Sequence, residues 1–221
     1  MSAEPILSIE DTEVFYDNSF SLTTGNLTVK RGEKLAVVGQ SGAGKSTLLR
    51  LLYEKHPDQT TLVPQHDGLV ETLSVFHNVY MGRLAERPSW YNLLNLIRPF
   101  SKRVDEVQSI LQQLSLSDKC FENVASLSGG QRQRTSVARS MYQGGDVLLA
   151  DEPVSAVDEI QSELVLNLLA QHFPTMIVAL HDTQLALNCC DRIVGLKNGE
   201  IVLDSASGNL SDTELTQLYV D

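Results

Sequence analysis

The 221-residue sequence is poor in basic residues and in cysteine, and both shortages exclude classes of function. Lysine and arginine number 17 against 28 aspartates and glutamates, which gives a formal net charge of −11. Proteins that bind nucleic acid usually present a basic face, so this excess of acidic residues predicts no nucleic-acid partner. The three cysteines, Cys120, Cys189 and Cys190, lack metal-ligand spacing, and we expect packing residues rather than a redox or metal site.

The sequence also lacks long apolar runs. No stretch approaches the roughly 20 apolar residues that a membrane-spanning helix needs. The opening MSAEPILSIED has neither the basic nor the apolar region of a signal peptide. We therefore expect a soluble, cytosolic protein that reaches a membrane only through a partner.

The order of the apolar patterns predicts an α/β fold. Short strand-like segments fill residues 6–38 and end in KLAVVG, a nearly continuous apolar run typical of a buried parallel strand. Strand and helix patterns alternate again after residue 146, and DRIVGLKNGEIVLDS predicts a hairpin that turns at Asn198-Gly199. Residues 72–142 have mostly helical periodicity. We predict a mostly parallel sheet that is interrupted by a helical insert.

The segment GQSGAGKS lies between an apolar strand and an amphipathic helix and matches the pattern G-x-x-x-x-G-K-[ST]. Its glycines let backbone N–H groups converge on phosphate oxygens, and the helix from Lys45 directs its positive end at the same anion. We predict that Lys45 contacts the terminal phosphates, Ser46 ligates Mg²⁺ and Thr47 supports the phosphates. The predicted phosphate loop comprises Gly39, Gln40, Ser41, Gly42, Ala43, Gly44, Lys45, Ser46 and Thr47.

Two further stretches suit a phosphate site. DVLLADEP ends a buried strand with Asp151, which would hold Mg²⁺, and Glu152, which would act as a general base toward water. LSGGQRQR begins a helix with Ser128, Gly129 and Gly130, a second helix N-terminus that suits an anion. A solvated turn and an ordinary capped helix are the structural alternatives. Because the same sequence also contains the phosphate loop, we interpret both stretches as parts of a phosphate site.

Together these motifs resemble those of the ATP-binding cassette (ABC) ATPases. Leu127–Gln131 matches the LSGGQ signature, Gly39–Ser46 matches Walker A, and VLLADE matches Walker B. The resemblance implies that Glu152, His181, Gln65 and Lys45 are the catalytic residues, and that Ser46, Gln65 and Asp151 hold the metal. It further assigns nucleotide contacts to Ser128, Gly129, Gly130, Gln131, Asp158 and Tyr16, where Tyr16 stacks on adenine and Phe15 is the alternative.

The resemblance also implies an assembly that uses ATP and Mg²⁺. In the family two cassettes pack head to tail, so we expect a homodimer or a pair with a second cassette. It implies one ABC domain over residues 1–221, with an α/β core at 1–71 and 143–221 and a helical subdomain at 72–142. Further implied partners are transmembrane permease subunits and a periplasmic or lipid-anchored solute-binding protein. The implied location is the inner face of the bacterial cell membrane.

Within the family, NVYMGRLAERPSWYNLLNL, VALHDTQLAL and DRIVGLKNGEIVLD are similar to phosphonate importer ATP-binding subunits. This similarity implies uptake of a small anion, with phosphonate the leading candidate. An export or lipoprotein-release cassette and a non-transport accessory cassette remain alternatives. Only KHPDQTTLVP separates LLYE from Gln65, which is shorter than the family pattern, so we expect a trimmed N-terminal antiparallel β subdomain.

Overall fold

The computed structural model describes residues 4–16, 19–211, 214–215 and 217–219, without the side chains of residues 15, 16, 19–21 and 217. The chain divides into two compact units. The first comprises Met1–Gln65, Gly145–Glu152 and Phe173–Asp221, and the second comprises His66–Gly144 and Pro153–His172. The subdomain boundaries inferred from sequence stay a prediction.

The first unit is built on β-sheets. Its strands are β1 (Pro5–Ile9), β2 (Glu13–Tyr16), β3 (Ser19–Thr23), β4 (Leu27–Lys30), β5 (Lys34–Val38), β6 (Thr60–Val63), β7 (Val147–Asp151), β8 (Thr175–Leu180), β9 (Arg192–Lys197) and β10 (Glu200–Ala206). Strands β1 and β4 pair antiparallel, and the other strands form a sheet in the order β2-β3-β10-β9-β5-β8-β7-β6. Strands β9, β5, β8, β7 and β6 are mutually parallel, so the predicted fold class is confirmed.

Helices accompany the sheet and make up most of the second unit. The first unit contains α1 (Lys45–Lys55) and α7 (Thr183–Cys189). The second contains α2 (Val75–Tyr80), α3 (Ser89–Ile97), α4 (Ser101–Gln113), α5 (Gly129–Gln143) and α6 (Glu159–His172). Short 3₁₀ turns lie at Met81–Glu86, Ser117–Lys119, Val124–Ser126, Ser207–Asn209 and Gln217–Tyr219.

The core of the first unit packs α1 against the central strands. Strands β7 and β8 are buried along their whole length, as expected for parallel strands covered on both faces. Leu48, Leu49 and Leu52 of α1 are buried in the same apolar cluster as β5. The β9–β10 hairpin turns where predicted, because Asn198 and Gly199 both take the positive φ that a type I′ turn requires.

The chain passes from α1 to β6 through residues 56–59, and the described residues there form no additional strand. The antiparallel pairs are β1–β4, β2–β3 and β9–β10, and the short segment before Gln65 adds no strand to them. Among the described residues, no helix is both long and apolar enough to cross a bilayer.

No disulfide links the three cysteines, all of which lie in the described part of the chain. Cys120 and Cys190 are buried, and burial raises the pKa of Cys120 to about 11 and that of Cys190 to about 12. Because the thiolate is the reactive form, these two side chains behave as small apolar residues, in line with the packing role inferred from sequence.

Candidate functional site

The parallel register brings most of the predicted groups to one edge of the sheet. Val38 of β5 pairs with Leu180 of β8, and Ala150 of β7 pairs with Val63 of β6. Strand β7 also lies beside β8 in parallel register, so the carboxyl ends of all four strands are neighbours. In open α/β sheets this edge is where ligands bind. The residues at or just beyond these strand ends are Gly39, His181, Asp151, Glu152 and Gln65.

The phosphate loop begins at a position that only glycine can occupy. A Cβ on Gly39 would lie 2.2 Å from the carbonyl oxygen of Leu196, and φ at Gly39 is +149°. Gly44 is the last residue before α1, and its φ of 105° directs the chain into that helix. Within the described part of the chain, no side chain caps the N-terminus of α1. The first N–H groups of a helix have no partner inside it, so this end offers donors to an anion.

The Lys45 side chain turns back toward the first residues of the phosphate loop. Its side chain is buried, and Nζ donates hydrogen bonds to the carbonyl oxygens of Gly39 (2.8 Å) and Gln40 (3.0 Å). Burial lowers the pKa of Lys45, while the charges of Glu152 and Asp151 act in the opposite direction. The loop therefore holds a cation close to two carboxylates.

Asp151 carries the most informative polar atom of the site. The residue is buried, and the Ser46 hydroxyl lies close to its carboxylate. Its Oδ1 has no hydrogen-bond partner among the described residues. Burial raises the pKa of Asp151, and leaving a buried acceptor unpaired typically costs about 1–3 kcal/mol. A cation at this oxygen would remove that cost.

A metal at Asp151 would draw its other ligands from oxygen atoms outside a cluster of carboxylates. The described residues contain no group of three or more His, Cys, Asp or Glu side chains that could hold a metal. A carboxylate supplemented by a hydroxyl, an amide oxygen and phosphate oxygens is the donor set that suits Mg²⁺. The residues present therefore fit the predicted ion.

Glu152 has an unusual backbone conformation. It has a left-handed φ of 51°, which for a residue other than glycine costs roughly 1–3 kcal/mol and is typical of functional sites. Its N–H donates to the carbonyl oxygen of Ala179 (3.2 Å). Its Oε1 lies 2.5 Å from Nε2 of His181, and the His181 ring is half-exposed while Glu152 is mostly covered. The strand ends thus pair a carboxylate with an imidazole.

The predicted signature lies in the second unit, at the N-terminus of α5. The Ser128 hydroxyl accepts from the N–H of Gln131 (3.3 Å), and the Gln131 side chain accepts from the N–H of Ser128 (2.9 Å). This reciprocal cap fixes the helix start and leaves the N–H groups of Gly129 and Gly130 at its end. The predicted helix start is confirmed, and its contact with a nucleotide stays a prediction.

The remaining predicted residues have varied surroundings. The Asp158 carboxylate accepts from the N–H of Gln161 (2.9 Å) and so caps α6. Thr47 is half-buried in the first turn of α1. The backbone of Tyr16 belongs to β2, but the side chains of Tyr16 and of its alternative Phe15 lie outside the described part of the structure.

The ABC transporter family profile matches residues 22–155, which include the phosphate loop, both strand-end carboxylates and the start of α5. The chain belongs to the ABC transporter family. Its chemistry is therefore that of the family's cassettes, the hydrolysis of ATP.

Curated relatives match nearly the whole cassette. The phosphite import ATP-binding protein PxtA of Stutzerimonas stutzeri is 34% identical over 245 residues, which covers 98% of this cassette and 88% of the relative. The phosphonates import ATP-binding protein PhnC 1 of Pseudomonas syringae pv. syringae (strain B728a) is 35% identical over 234 residues, which covers 93% of this cassette and 88% of the relative. The first alignment is longer than the 221-residue cassette, so that relative has residues that the cassette lacks.

Solved structures agree on the fold. A nucleotide-free ATP-binding cassette from an ABC transporter has a TM-score of 0.80 at 20% identity, covering 99% of this cassette and all of that chain. A bacterial ABC transporter cassette solved as a dimer has a TM-score of 0.74 at 23% identity, covering 91% of this cassette and 96% of that chain. At these identities the similarity establishes the architecture of the cassette.

Sequence reasoning missed one residue of the site. The Tyr219 hydroxyl accepts a hydrogen bond from the N–H of Gly39 (3.2 Å), at the entrance to the phosphate loop. A single tyrosine in the segment TQLY carries no motif and no periodicity, so no signal in the sequence pointed to it.

Proposed function

We propose that this ATPase powers the import of a small phosphorus oxyanion, phosphonate or phosphite, through a separate membrane permease. The observation that carries the solute class is the match to phosphite and phosphonates import ATP-binding proteins over more than nine-tenths of the cassette. The cassette supplies the ATP-driven step, and the permease contacts the solute.

The ATP phosphates lie in the loop Gly39–Thr47. Its glycines and the uncapped start of α1 present N–H donors to phosphate oxygens. Lys45 exchanges the two loop carbonyls that it now contacts for oxygens of the terminal phosphates.

Ser46, Asp151 and Gln65 would hold the Mg²⁺ that accompanies the nucleotide. The support is the unpaired Oδ1 of Asp151 and the nearness of the Ser46 hydroxyl to the same carboxylate. When bound, the ion neutralises part of the phosphate charge. Gln65, which follows the adjacent strand β6, adds an amide oxygen at this edge.

Glu152 is the general base of hydrolysis. It accepts a proton from water as the water oxygen bonds to the terminal phosphorus and the bond from that phosphorus to the ADP oxygen breaks. His181 orients this base, because its Nε2 contacts the Glu152 carboxylate directly. The products are ADP and inorganic phosphate.

A second copy of the cassette completes each ATP site. Ser128, Gly129, Gly130 and Gln131 of one copy face the phosphates held by the loop of the other, and Asp158 lies in the adjoining segment. The support is a capped helix start at α5 whose terminal glycine N–H groups remain available to an anion. The related cassette solved as a dimer is consistent with this arrangement.

The permease docks on an apolar cavity in the second unit. The cavity has a volume of about 680 Å³ and lies between α2, the following 3₁₀ turn and α3. Leu84, Leu93 and Leu96 in its lining are 37%, 59% and 45% exposed. A helix packs well into an apolar groove between helices. Because the relatives are import proteins, the occupant is a cytoplasmic helix of the permease, which holds the cassette at the inner face of the membrane.

Uptake of labelled phosphonate and phosphite tests the function directly. Cells that lack the cassette should lose uptake of at least one of the two solutes, and the parental cassette should restore it while the Lys45→Ala variant should not. If both solutes enter at the parental rate without the cassette, the proposed solute class is wrong.

Co-purification from detergent-solubilised membranes tests the assembly. The cassette should bring down a polytopic membrane protein, and a Leu93→Glu change in the cavity should abolish this. The change Ile160→Glu is the matched control, because Ile160 is 76% exposed on α6 and does not line the cavity. Recovery of a soluble enzyme complex in place of a membrane protein would contradict a transport role.

A further inference from the structure

A short C-terminal turn lies against the ATP-site edge of the sheet. The 3₁₀ turn Gln217–Tyr219 packs on β9, where the Leu218 side chain is buried. The methyl groups of Leu218 lie 2.8–2.9 Å from the position that a Cβ on Gly195 would take. Glycine at 195 thus gives Leu218 its space, and the packed leucine places Tyr219 next to the phosphate loop.

Tyr219 bonds to two segments of the site. Its hydroxyl accepts from the N–H of Gly39 (3.2 Å) and donates to the carbonyl oxygen of His181 (3.2 Å). Its own carbonyl oxygen accepts from the Gln40 side chain (3.0 Å). A tyrosine hydroxyl can act as donor and acceptor at once, so one oxygen bridges the loop and the residue that contacts Glu152.

We propose that Tyr219 is a positioning residue for ATP hydrolysis, because its hydroxyl ties the entrance of the phosphate loop to the backbone of His181. The bridge fixes where the His181–Glu152 pair stands relative to the bound phosphates. This inference rests on the catalytic roles proposed above for Glu152 and His181.

The hydroxyl is suited to this task rather than to binding nucleotide. The hydroxyl already has two backbone partners. The N–H that donates to it belongs to Gly39, the first residue of the loop, which precedes the helix start that faces the phosphates. Gly39 is buried, so the loss of the hydroxyl would leave its N–H without this partner and free the loop entrance to shift. The reaction step should therefore suffer more than ATP binding.

The change Tyr219→Phe isolates the hydroxyl, because the ring and the packing of Leu218 remain. We expect kcat for ATP hydrolysis to fall about fivefold, the effect of one net hydrogen bond, with KM for ATP within about twofold of the parent. The matched control is Tyr53→Phe, at an exposed tyrosine near the end of α1, which should match the parent. Parental kcat in Tyr219→Phe would overturn the inference.

A double variant separates positioning from a loss of stability. If Tyr219 acts through His181, Tyr219→Phe should cause no further loss of kcat in a His181→Ala background. The residual rates can be measured by long incubation of the purified cassette with radiolabelled ATP. If the two losses multiply, or if the melting temperature of Tyr219→Phe falls in step with kcat, Tyr219 is a structural residue and the inference is wrong.

The same preparation distinguishes this inference from the assignment of the site. Lys45→Ala should lose ATP binding whether or not Tyr219 positions His181. If Lys45→Ala binds ATP as the parent does, the phosphate loop assignment fails. If Lys45→Ala behaves as expected and Tyr219→Phe equals the parent, only the role of Tyr219 fails.

Discussion

Two adjacent glycines at the start of α5 should respond in opposite ways to alanine. A Cβ on Gly130 would lie 2.8 Å from the carbonyl oxygen of Ala156 and 3.1 Å from a methyl group of Val157. A Cβ on Gly129 would lie 3.8 Å from the Cβ of Ala156, which is ordinary van der Waals contact. The segment that faces Gly130 is also fixed, because the Gln133 side chain accepts from the N–H of Ala156 (2.8 Å) and donates to Ser155 (3.0 Å).

The expected magnitude follows from these distances. At Gly130 the clash is with backbone, which cannot rotate away, and overpacking of this kind costs about 1–3 kcal/mol. Replacing glycine by alanine in a helix gains at most about 1 kcal/mol, so Gly130→Ala should be destabilised overall. Gly129→Ala has no clash to offset its gain and should match or exceed the parent. For a chain of this size, each kcal/mol shifts the melting temperature by about 2–4 °C.

Thermal unfolding followed by circular dichroism, at one protein concentration and without nucleotide, is the assay. Gly130→Ala should melt below the parent and Gly129→Ala at or above it. If both variants melt together, or if Gly130→Ala is the more stable, the packing of α5 against Ala156 is not as described.

Further predictions concern the general base and an ion pair. Glu152→Gln keeps the shape of the side chain but removes its basicity, so ATP hydrolysis should fall at least about 100-fold. ATP should still bind, and a dimer should accumulate on size-exclusion chromatography. Hydrolysis at the parental rate would show that Glu152 is not the base. Asp67→Asn weakens the contact with Arg132 (2.8 Å), a partly covered pair, and should cost about 1 kcal/mol, whereas the exposed Asp118→Asn should be neutral. Burial raises the pKa of Asp67, but the hydrogen bond and charge of Arg132 outweigh it and hold that pKa below its usual range. The deficit of Asp67→Asn in urea titrations should therefore be full at neutral pH and vanish as the pH falls through the lowered pKa; a deficit that persists in acid would contradict this.

The parts of the fold that sequence predicts best are encoded by neighbouring residues. The phosphate loop follows from glycine, lysine and serine at fixed spacing between an apolar strand and a helix. The β9–β10 turn follows from Asn198-Gly199, because few residue pairs accept two positive φ angles. The start of α5 follows from Ser128 and Gln131, which cap it reciprocally.

The parts that sequence does not predict depend on contacts between distant residues. Tyr219 and Gly39 are 180 positions apart, and no local pattern connects them. The unpaired oxygen of Asp151 and the close approach of Ala156 to Gly130 are likewise properties of the packed chain. An apolar segment such as SWYNLLNLI could form core or surface, and only the structure shows Trp90 and Ile97 of α3 to be 64% and 77% exposed.

The central claim is that each ATP site takes its phosphate loop from one copy and its signature from another. Mixing two inactive variants tests it most directly. Lys45→Ala disables the loop, and Ser128→Arg disables the signature, so either protein alone should be inactive. In a mixed dimer, one site would combine the intact loop of the Ser128→Arg protein with the intact signature of the Lys45→Ala protein. The other site would carry both lesions.

An equimolar mixture that exchanges subunits freely should therefore recover about a quarter of the parental ATPase activity, since half of the dimers are mixed and each has one intact site. Circular dichroism of each variant before mixing confirms that both are folded. If the mixture hydrolyses ATP no faster than the two variants measured separately, the composite site does not exist.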